Sequence, residues 1–331
     1  MLVKGARKVN SVTASAPGKV ILAGEHFVVK GEPAVALAVN LRVYVTVKEG
    51  RENITIKSNY LKNKVTLSLY NLGNTKSKIG KVVATILKSL TKDGDIPPLD
   101  IVINSEIPPR YGMGSSAALS VALIKALSEY LGLKLNREEV NEIAYKAEEV
   151  VHGTPSGIDN TVSTYGGIIV FRRGEGFIRL NADTSSVGLV AAYSGTFKDT
   201  KELVIRAKTL SDKYPRVFDP LYHAAGRLAL EVAKALKEGN FHAVGELMNV
   251  NQGLLSALGV SSLQLERLVY RFREVGAFGA KLTGAGGGGC VIALVPKEAL
   301  NRVMEAVRPY TNWVKELKVS YEGVRLEVSR G

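Results

Sequence analysis

Residues 108–132 read PPRYGMGSSAALSVALIKALSEYLG, and the rest of the chain is best understood outward from this stretch. The two prolines stop the β-branched run PLDIVINSEIP that leads into it. A Gly/Ser turn follows, and the apolar residues from Ala117 onward form a helix that closes near Gly132. A glycine turn running into a helix start lets backbone approach a ligand closely. It also offers N–H groups and the positive end of the helix dipole to an anion. Ser115 and Ser116 add hydroxyls that can meet phosphate oxygen or a metal ion. The plainer alternative is a helix start capped by serine. Gly112, Gly114 and Ala117 formally fit GxGxxA, and Gly284, Gly286 and Gly289 fit GxGxxG. A dinucleotide site does not follow, because a second helix comes after the first match and a strand after the other. No GxxxxGK[ST] occurs, which excludes a Walker-type loop.

Downstream, NREEVNEIAYKAEEVVHG is a second helix. Asn136 and Glu139 have capping-box spacing, and Gly153 and Pro155 stop the helix. Glu148 lies about 40° around the helix from Ala144 and so borders its apolar face, whereas Glu149 points elsewhere. A solvated helix carboxylate is the usual alternative for Glu148. Asp159 sits in the tight turn SGIDN, either bonding its own backbone or positioned to take a proton. YGGIIVF then returns to strand.

Upstream, VTASA and AVALAVN read as strands around PGKVILAGEHFVVKGEP, with LRVYVTVKE, NITIKS and KVTLSLYNL as further strand segments. Lys19 follows a Pro-Gly turn and precedes an apolar strand. Taken alone it is a solvated edge charge, and Glu25 with His26 is a surface polar pair or a site for a hydroxylated anion. In IGKVVATILKSL, Val82, Val83, Ile86, Leu87 and Leu90 share one helical face. Phosphoryl transfer needs this inventory: a glycine loop, oxygen ligands for Mg²⁺, a lysine and a carboxylate near the attacking hydroxyl.

A chain of 331 residues allows about two domains at roughly 150 residues each. The boundary is expected in the polar, glycine-containing stretch from Arg172 to Val187, giving domains 1–184 and 185–331. Beyond it come the strand LVAAYSG, several helices between Thr200 and Val275, and the strands GAFGAKLTG and CVIALV around a glycine run. A helix, KEALNRVMEAVRPY, and two short strands finish the chain. Strands followed by helices in each half predict two α+β domains. The run LTGAGGGGC is costly to order, so its backbone must approach a ligand or another loop.

Hydrophobic residues make up 46% and charged residues 23%, which excludes disorder and a disulfide-stapled miniature. No stretch approaches the ~18 apolar residues of a membrane span, and no apolar block follows the basic N-terminus as in a secretory signal. The single cysteine, Cys290, reads as a buried small residue and points to a reducing cytoplasm. One Cys and four scattered His make no zinc site, and His223 and His242 look like helix residues without partners. The net charge of +13 is dispersed, which favours a basic surface over a nucleic-acid footprint. Aromatics, Trp313 included, are too sparse for base-stacking platforms.

Three segments, APGKVILAGEH, PPRYGMGSSAA and KLTGAGGGGC, occur in the order typical of the GHMP small-molecule kinases, and the chain resembles that family from Ala16 to Cys290. GEHFVVKGEPAVALAV, HGTPSGIDN and NQGLLSALGVS are similar to its mevalonate-phosphorylating branch, and the length to the compact archaeal type. The resemblance implies an N-terminal domain like the second domain of ribosomal protein S5 and a ferredoxin-like C-terminal domain. It implies ATP:mevalonate 5-phosphotransferase activity in isoprenoid synthesis, with Mg²⁺ as cofactor. Gly112 to Ser116 would cradle the phosphates, within a nucleotide-binding loop running from Pro109 through Arg110, Tyr111, Met113 and Gly114 to Ala117. Asn71 and Ser105 fall at nucleotide-contacting positions. Ser116 and Glu148 would bind Mg²⁺, Asp159 would be the catalytic base and Lys19 its cationic partner. Glu25 and His26 would hold mevalonate, and Thr200 would line the site.

The middle segment departs from the family's usual PxGxGLGSSAA. Met113 replaces leucine at similar volume, and Arg110-Tyr111 replaces small positions, so that Arg110 either shapes the loop or contacts phosphate. A sibling kinase acting on phosphomevalonate or another small alcohol is the nearest rival reading. A ligand sensor or an RNA-binding module are more distant ones, and retention of Lys19, Glu148 and Asp159 together argues against a sensor. The expected partners are mevalonate and ATP, with no nucleic acid and no membrane. A homodimer is compatible with the family.

Overall fold

The computed structural model describes residues 10–91, 96–153, 155–197 and 200–328, with the backbone alone at 151, 152, 200 and 201. In chain order the first half comprises β1 (Ser11–Ala23), β2 (Ala34–Glu49), β3 (Ile54–Ser58), β4 (Val65–Leu67), α1 (Lys78–Leu90), β5 (Leu99–Ser105), α2 (Ser115–Tyr130), α3 (Arg137–His152), α4 (Ile158–Tyr165), β6 (Ile168–Arg172) and β7 (Gly176–Leu180). The second half comprises β8 (Val187–Tyr193), α5 (Thr200–Lys213), α6 (Pro215–Lys237), α7 (Phe241–Ala257), α8 (Leu263–Glu274), β9 (Gly279–Leu282), β10 (Cys290–Pro296), α9 (Leu300–Val307), β11 (Val314–Leu317) and β12 (Arg325–Glu327).

β1 and β2 pair antiparallel over most of their length and form the spine of the first sheet, ordered β12-β1-β2-β5-β3-β4. β6 joins the other end of β2, and β7 pairs with β6. The alternation in β2 buries Val43, Val45 and Val47 on one face, against α2 and its neighbours. α2 is buried nearly all round, which suits a helix clasped between that sheet and α1, α3 and α4. The second sheet runs β11-β8-β10-β9, every neighbour antiparallel. With helices after β8 and after β10, this is the βαββαβ ferredoxin-like arrangement. The last strand, β12, returns to β1 in the first sheet. One apolar core continues from beneath the first sheet to α6, α7 and Cys290, Ile292 and Leu294 of β10.

Four local readings of the sequence are corrected. Pro17-Gly18 is not a turn: β1 is a single strand with a bulge there. A Cβ on Gly18 would lie 2.7 Å from Ile107 Cδ1 and 2.8 Å from Met113 O, so the glycine makes room for the loop preceding α2. SGIDN is not a free-standing turn either. Gly157, at φ 90°, caps α4, and Asp159 lies in that helix's first turn, where a carboxylate suits the dipole. The polar stretch after Arg172 contains β7, whose residues are mostly solvent-facing and gave no apolar pattern. His223 and His242 both have partners: His242 Nδ1 lies 3.6 Å from Glu246 Oε1 on the same helix, and His223 Nδ1 lies 2.8 Å from Glu32 Oε1, far away in sequence. A Cβ on Gly226, one turn further along α6, would overlap Glu32 Oε2, so this helix is notched where the carboxylate packs.

Other expectations hold. Asn136 and Glu139 form a reciprocal capping box, Val82, Val83, Ile86 and Leu87 are buried on α1, and Cys290 is a buried thiol pushed up in pKa by desolvation. Among the described residues, no helix is long and apolar enough to cross a membrane.

Candidate active site

The loop between β5 and α2 passes through Gly112 (φ 77°) and Gly114 (φ 69°), left-handed conformations open to glycine at little cost. Its position is set from two sides. A Cβ on Gly112 would stand 2.7 Å from the Thr283 carbonyl, and one on Gly114 would stand 2.9 Å from Lys19 Cγ. The loop is also braced by Tyr111, whose ring stacks on Tyr193 at 4.1 Å and meets Trp313 edge-on at 5.1 Å. These aromatics therefore pack against one another.

The second glycine run comes up behind the first. A Cβ on Gly284 would lie 3.0 Å from Gly112 Cα, and Cβ atoms on Gly286 and Gly288 would collide with the carbonyls of Val260 and Thr196. The run's glycines are needed because it threads between other backbone segments.

Gly114, not serine, is the N-cap of α2, so Ser115 and Ser116 occupy its first turn and both line the cleft. The Ser116 hydroxyl donates to Glu148 Oε2 at 3.2 Å. Glu148, on α3, is buried, and its pKa is pushed up to about 7, chiefly by desolvation and then by the charge of Asp159. The Ser116 hydrogen bond and the Lys19 charge oppose that rise. Lys19 comes from β1, buried beside the loop. Its Nζ lies 3.3 Å from Asp159 Oδ1 and donates to the Gly112 carbonyl at 3.3 Å.

Around these groups lies a cleft of about 470 Å³. Lys19, Glu25, His26, Asp159 and the loop from Arg110 through Ser116 all line it. His26 holds an unusual φ of 62°, and its Nε2 is 2.9 Å from the Ala285 carbonyl. Desolvation lowers its pKa, with the Ala285 bond opposing and the Lys281 charge assisting. Arg110 also has positive φ, 70°, and its guanidinium lies over the Phe197 ring at 4.6 Å.

Other expected residues stand outside the cleft wall. Asn71 is exposed, and the Ser105 hydroxyl bonds within its own turn, to the Ile107 carbonyl at 2.9 Å. Pro109 faces solvent, and Ala117 is buried under the helix start. Glu148 lies behind Ser116 instead of on the surface of the cleft. Thr200 opens α5, and its side chain lies outside the described residues.

Sequence reading missed Lys78, Phe197 and Val204 on the wall, and Lys281, Thr283 and Asn251 behind it. Only Lys281 left a sequence signal, a lysine in a strand whose other residues are apolar or glycine.

Ser116 and Glu148 are hard oxygen donors of the kind Mg²⁺ takes, in contact with one another beside the phosphate-type loop. Among the described residues no group of three His, Cys, Asp or Glu could hold a metal alone. That donor set fits Mg²⁺, which binds through one or two protein oxygens and completes its shell with water and substrate phosphates.

The family models for the GHMP kinases N terminal domain and GHMP kinases C terminal match residues 77–167 and 232–311. The chain belongs to the GHMP kinases, phosphotransferases that use ATP as co-substrate. Within that family, several curated relatives that match nearly its whole length are mevalonate kinases. The mevalonate kinase of Aeropyrum pernix is 39% identical over 316 residues, covering 95% of this chain and 98% of its own. That of Pyrococcus horikoshii is 39% identical over 338 residues, covering 97% and 100%. Among solved structures, L. major mevalonate kinase in complex with R-mevalonate superposes with a TM-score of 0.81 at 30% identity, covering 95% of this chain and 98% of that one. The Methanococcus jannaschii mevalonate kinase gives 0.81 at 28% identity, covering 96% and 99%.

Proposed function

We propose that this chain transfers the γ-phosphoryl group of ATP to the 5-hydroxyl of mevalonate, giving 5-phosphomevalonate and ADP. The observation that carries the reading is the Lys19–Asp159 pair facing the Ser115–Ser116 helix start in one cleft, in a chain similar throughout to mevalonate kinases. As the 5-oxygen attacks the γ-phosphorus, its proton passes to an Asp159 carboxylate oxygen. The bond from that phosphorus to the β,γ-bridging oxygen breaks, and ADP departs. Lys19 places positive charge beside the attacking oxygen, and the N–H groups and dipole at the start of α2 offset phosphate charge. A loose transition state makes Asp159 as much an orienting group as a base.

Ser116 and Glu148 would hold Mg²⁺, which when bound neutralises charge on the β- and γ-phosphates. Val28, Val29 and Ile158, which share one apolar cluster, line the cleft and supply an apolar wall for the acceptor's hydrocarbon skeleton. The proposed domain division at 184/185 is supported by the two separate sheets, with β12 crossing back to the first. A reducing, cytoplasmic setting belongs to the same proposal, supported by the single, buried cysteine.

The test is an ADP-release assay on a panel of alcohols: mevalonate, phosphomevalonate, homoserine and galactose. Turnover of mevalonate well above the others is expected. Silence on mevalonate with turnover of phosphomevalonate would transfer the assignment to the sibling activity.

A further inference from the structure

Behind the His26 end of the cleft, side chains from the second half grip the end of β1. Lys281, on β9 and without solvent exposure, pairs with Glu25 Oε1 and donates to the carbonyls of Ile21 at 3.1 Å and Leu282 at 2.7 Å. Glu25 Oε2 accepts from Asn251 Nδ2 of α7 at 3.1 Å. Thr283 Oγ1 accepts the Ile21 N–H at 3.0 Å. Both backbone polar groups of Ile21 are thus held by side chains two residues apart, at the point where the β1–β2 register shifts. Immediately after Glu25 the chain turns sharply at His26 (φ 62°, ψ −40°), where the Phe27 N–H donates back to the Glu25 carbonyl at 2.7 Å and the His26 ring is tied to Ala285 in the second glycine run.

We infer that Lys281 and Glu25 are a positioning pair, which fixes His26 and with it the acceptor side of the cleft relative to the glycine loops. The inference rests on the proposed reading that the acceptor lies at the His26 end. Both oxygens of Glu25 are already bonded within the protein, so this carboxylate shapes the acceptor site chiefly through its neighbour. Stability does not require such a pair. Taking two charges out of water costs more than their attraction reliably returns, and apolar replacements of similar volume often fold as well or better. What the pair adds is direction. The ammonium has three donors, and all three are spent on named acceptors at the junction of the two halves. A misplacement of about 1 Å at such a junction is enough to lower catalysis substantially.

The experiment compares Lys281→Met, Glu25→Gln and the double variant in the full-length chain. Tm is measured for each, and KM for acceptor and for ATP are determined separately. Lys281→Met leaves a lone buried carboxylate and is expected to lower Tm and to raise acceptor KM about tenfold or more. ATP KM should stay within about twofold of wild type. The double variant buries no charge; it should regain Tm while keeping the raised acceptor KM. Recovery of Tm and acceptor KM together would show a purely structural pair and overturn the inference. So would an unchanged acceptor KM in the single variants, or an equal rise for ATP. If Lys281→Met does not fold, the double variant decides alone. Wild-type silence on mevalonate would count against the substrate assignment instead. The same split is then read with whichever alcohol of the panel is turned over.

Discussion

Lys19 Nζ lies 3.3 Å from Asp159 Oδ1, with the lysine side chain 3% exposed and the carboxylate 34% exposed. The pair is asymmetric: the cation is walled in by the loop before α2, while the carboxylate keeps an open face toward the cleft. Only the carboxylate is placed to exchange a proton with a bound alcohol. Asp159→Asn preserves shape and removes that capacity. It should cut kcat by ~10² or more, the scale of general-base loss, and leave ATP affinity nearly intact. Steady-state kinetics with calorimetric ATP titration checks this, and normal turnover in the variant would remove Asp159 from the chemistry.

Glu148 stands behind Ser116, joined to it by the 3.2 Å hydrogen bond. A buried carboxylate pushed up to about 7 gains from a nearby cation. Glu148→Gln should raise the Mg²⁺ concentration needed for half-maximal activity by about tenfold or more. Unchanged metal dependence would show that Ser116 and the substrate phosphates bind the ion without it.

His26 gives a pH dependence with a definite sign. Desolvation lowers its pKa in the folded chain below the ordinary 6.5. Between the folded and unfolded values the unfolded chain binds more protons, so stability rises with pH there. Above 6.5 the ring is neutral in both states and the penalty vanishes; as pH falls below 6.5 the fold weakens. His26→Asn keeps a short polar side chain at this positive-φ position and removes the titration. Thermal melts from pH 7.5 to 5 should therefore show a smaller loss for the variant, and parallel curves would contradict the lowered value.

Much of this was legible in the sequence because its signals are local. Glycines 112 and 114, the serine pair and the apolar period of α2 lie within one short run. The Asn136–Glu139 box spans a single helical turn. What escaped depends on chain segments that meet only in three dimensions. Pro17-Gly18 has turn chemistry, but the approach of Ile107 and Met113 makes it a bulge inside a strand. Asp159 shows turn composition, yet Gly157 supplies a left-handed cap that starts α4. His223 and Glu32 are far apart in sequence, as are Lys281 and Glu25, and no periodicity joins them.

The contact between the two glycine loops makes its own prediction. Gly112→Ala puts a Cβ 2.7 Å from a backbone oxygen, Thr283 O, at φ 77°, where neither the strain nor the clash has an easy escape. Gly31→Ala carries similar strain, φ 88°, with nothing within 4 Å. Urea denaturation should show a loss on the order of 1 kcal/mol at Gly31, from conformation alone, and a clearly larger loss at Gly112. Equal losses would mean that the loops yield to one another.

Arg110 decides between two roles for its departure from the family's small residue. Its left-handed backbone costs roughly 1 kcal/mol, and its contact over Phe197 returns about 0.5–1 kcal/mol at an exposed site. Arg110→Gly relieves the first and forfeits the second, so Tm should change by no more than a few degrees. If the guanidinium serves only to shape the loop, glycine substitutes for it and ATP affinity holds. If it reaches the phosphates, the loss should grow with their number: small for AMP, and about tenfold or more for ATP, the scale of a charge-assisted hydrogen bond. The side chain lines the cleft beside the helix start and stacks on a ring in place of an acid, which favours the phosphate role. Titration of the variant with AMP, ADP and ATP should give the graded result, and a uniform response across the three would assign Arg110 to loop shape alone.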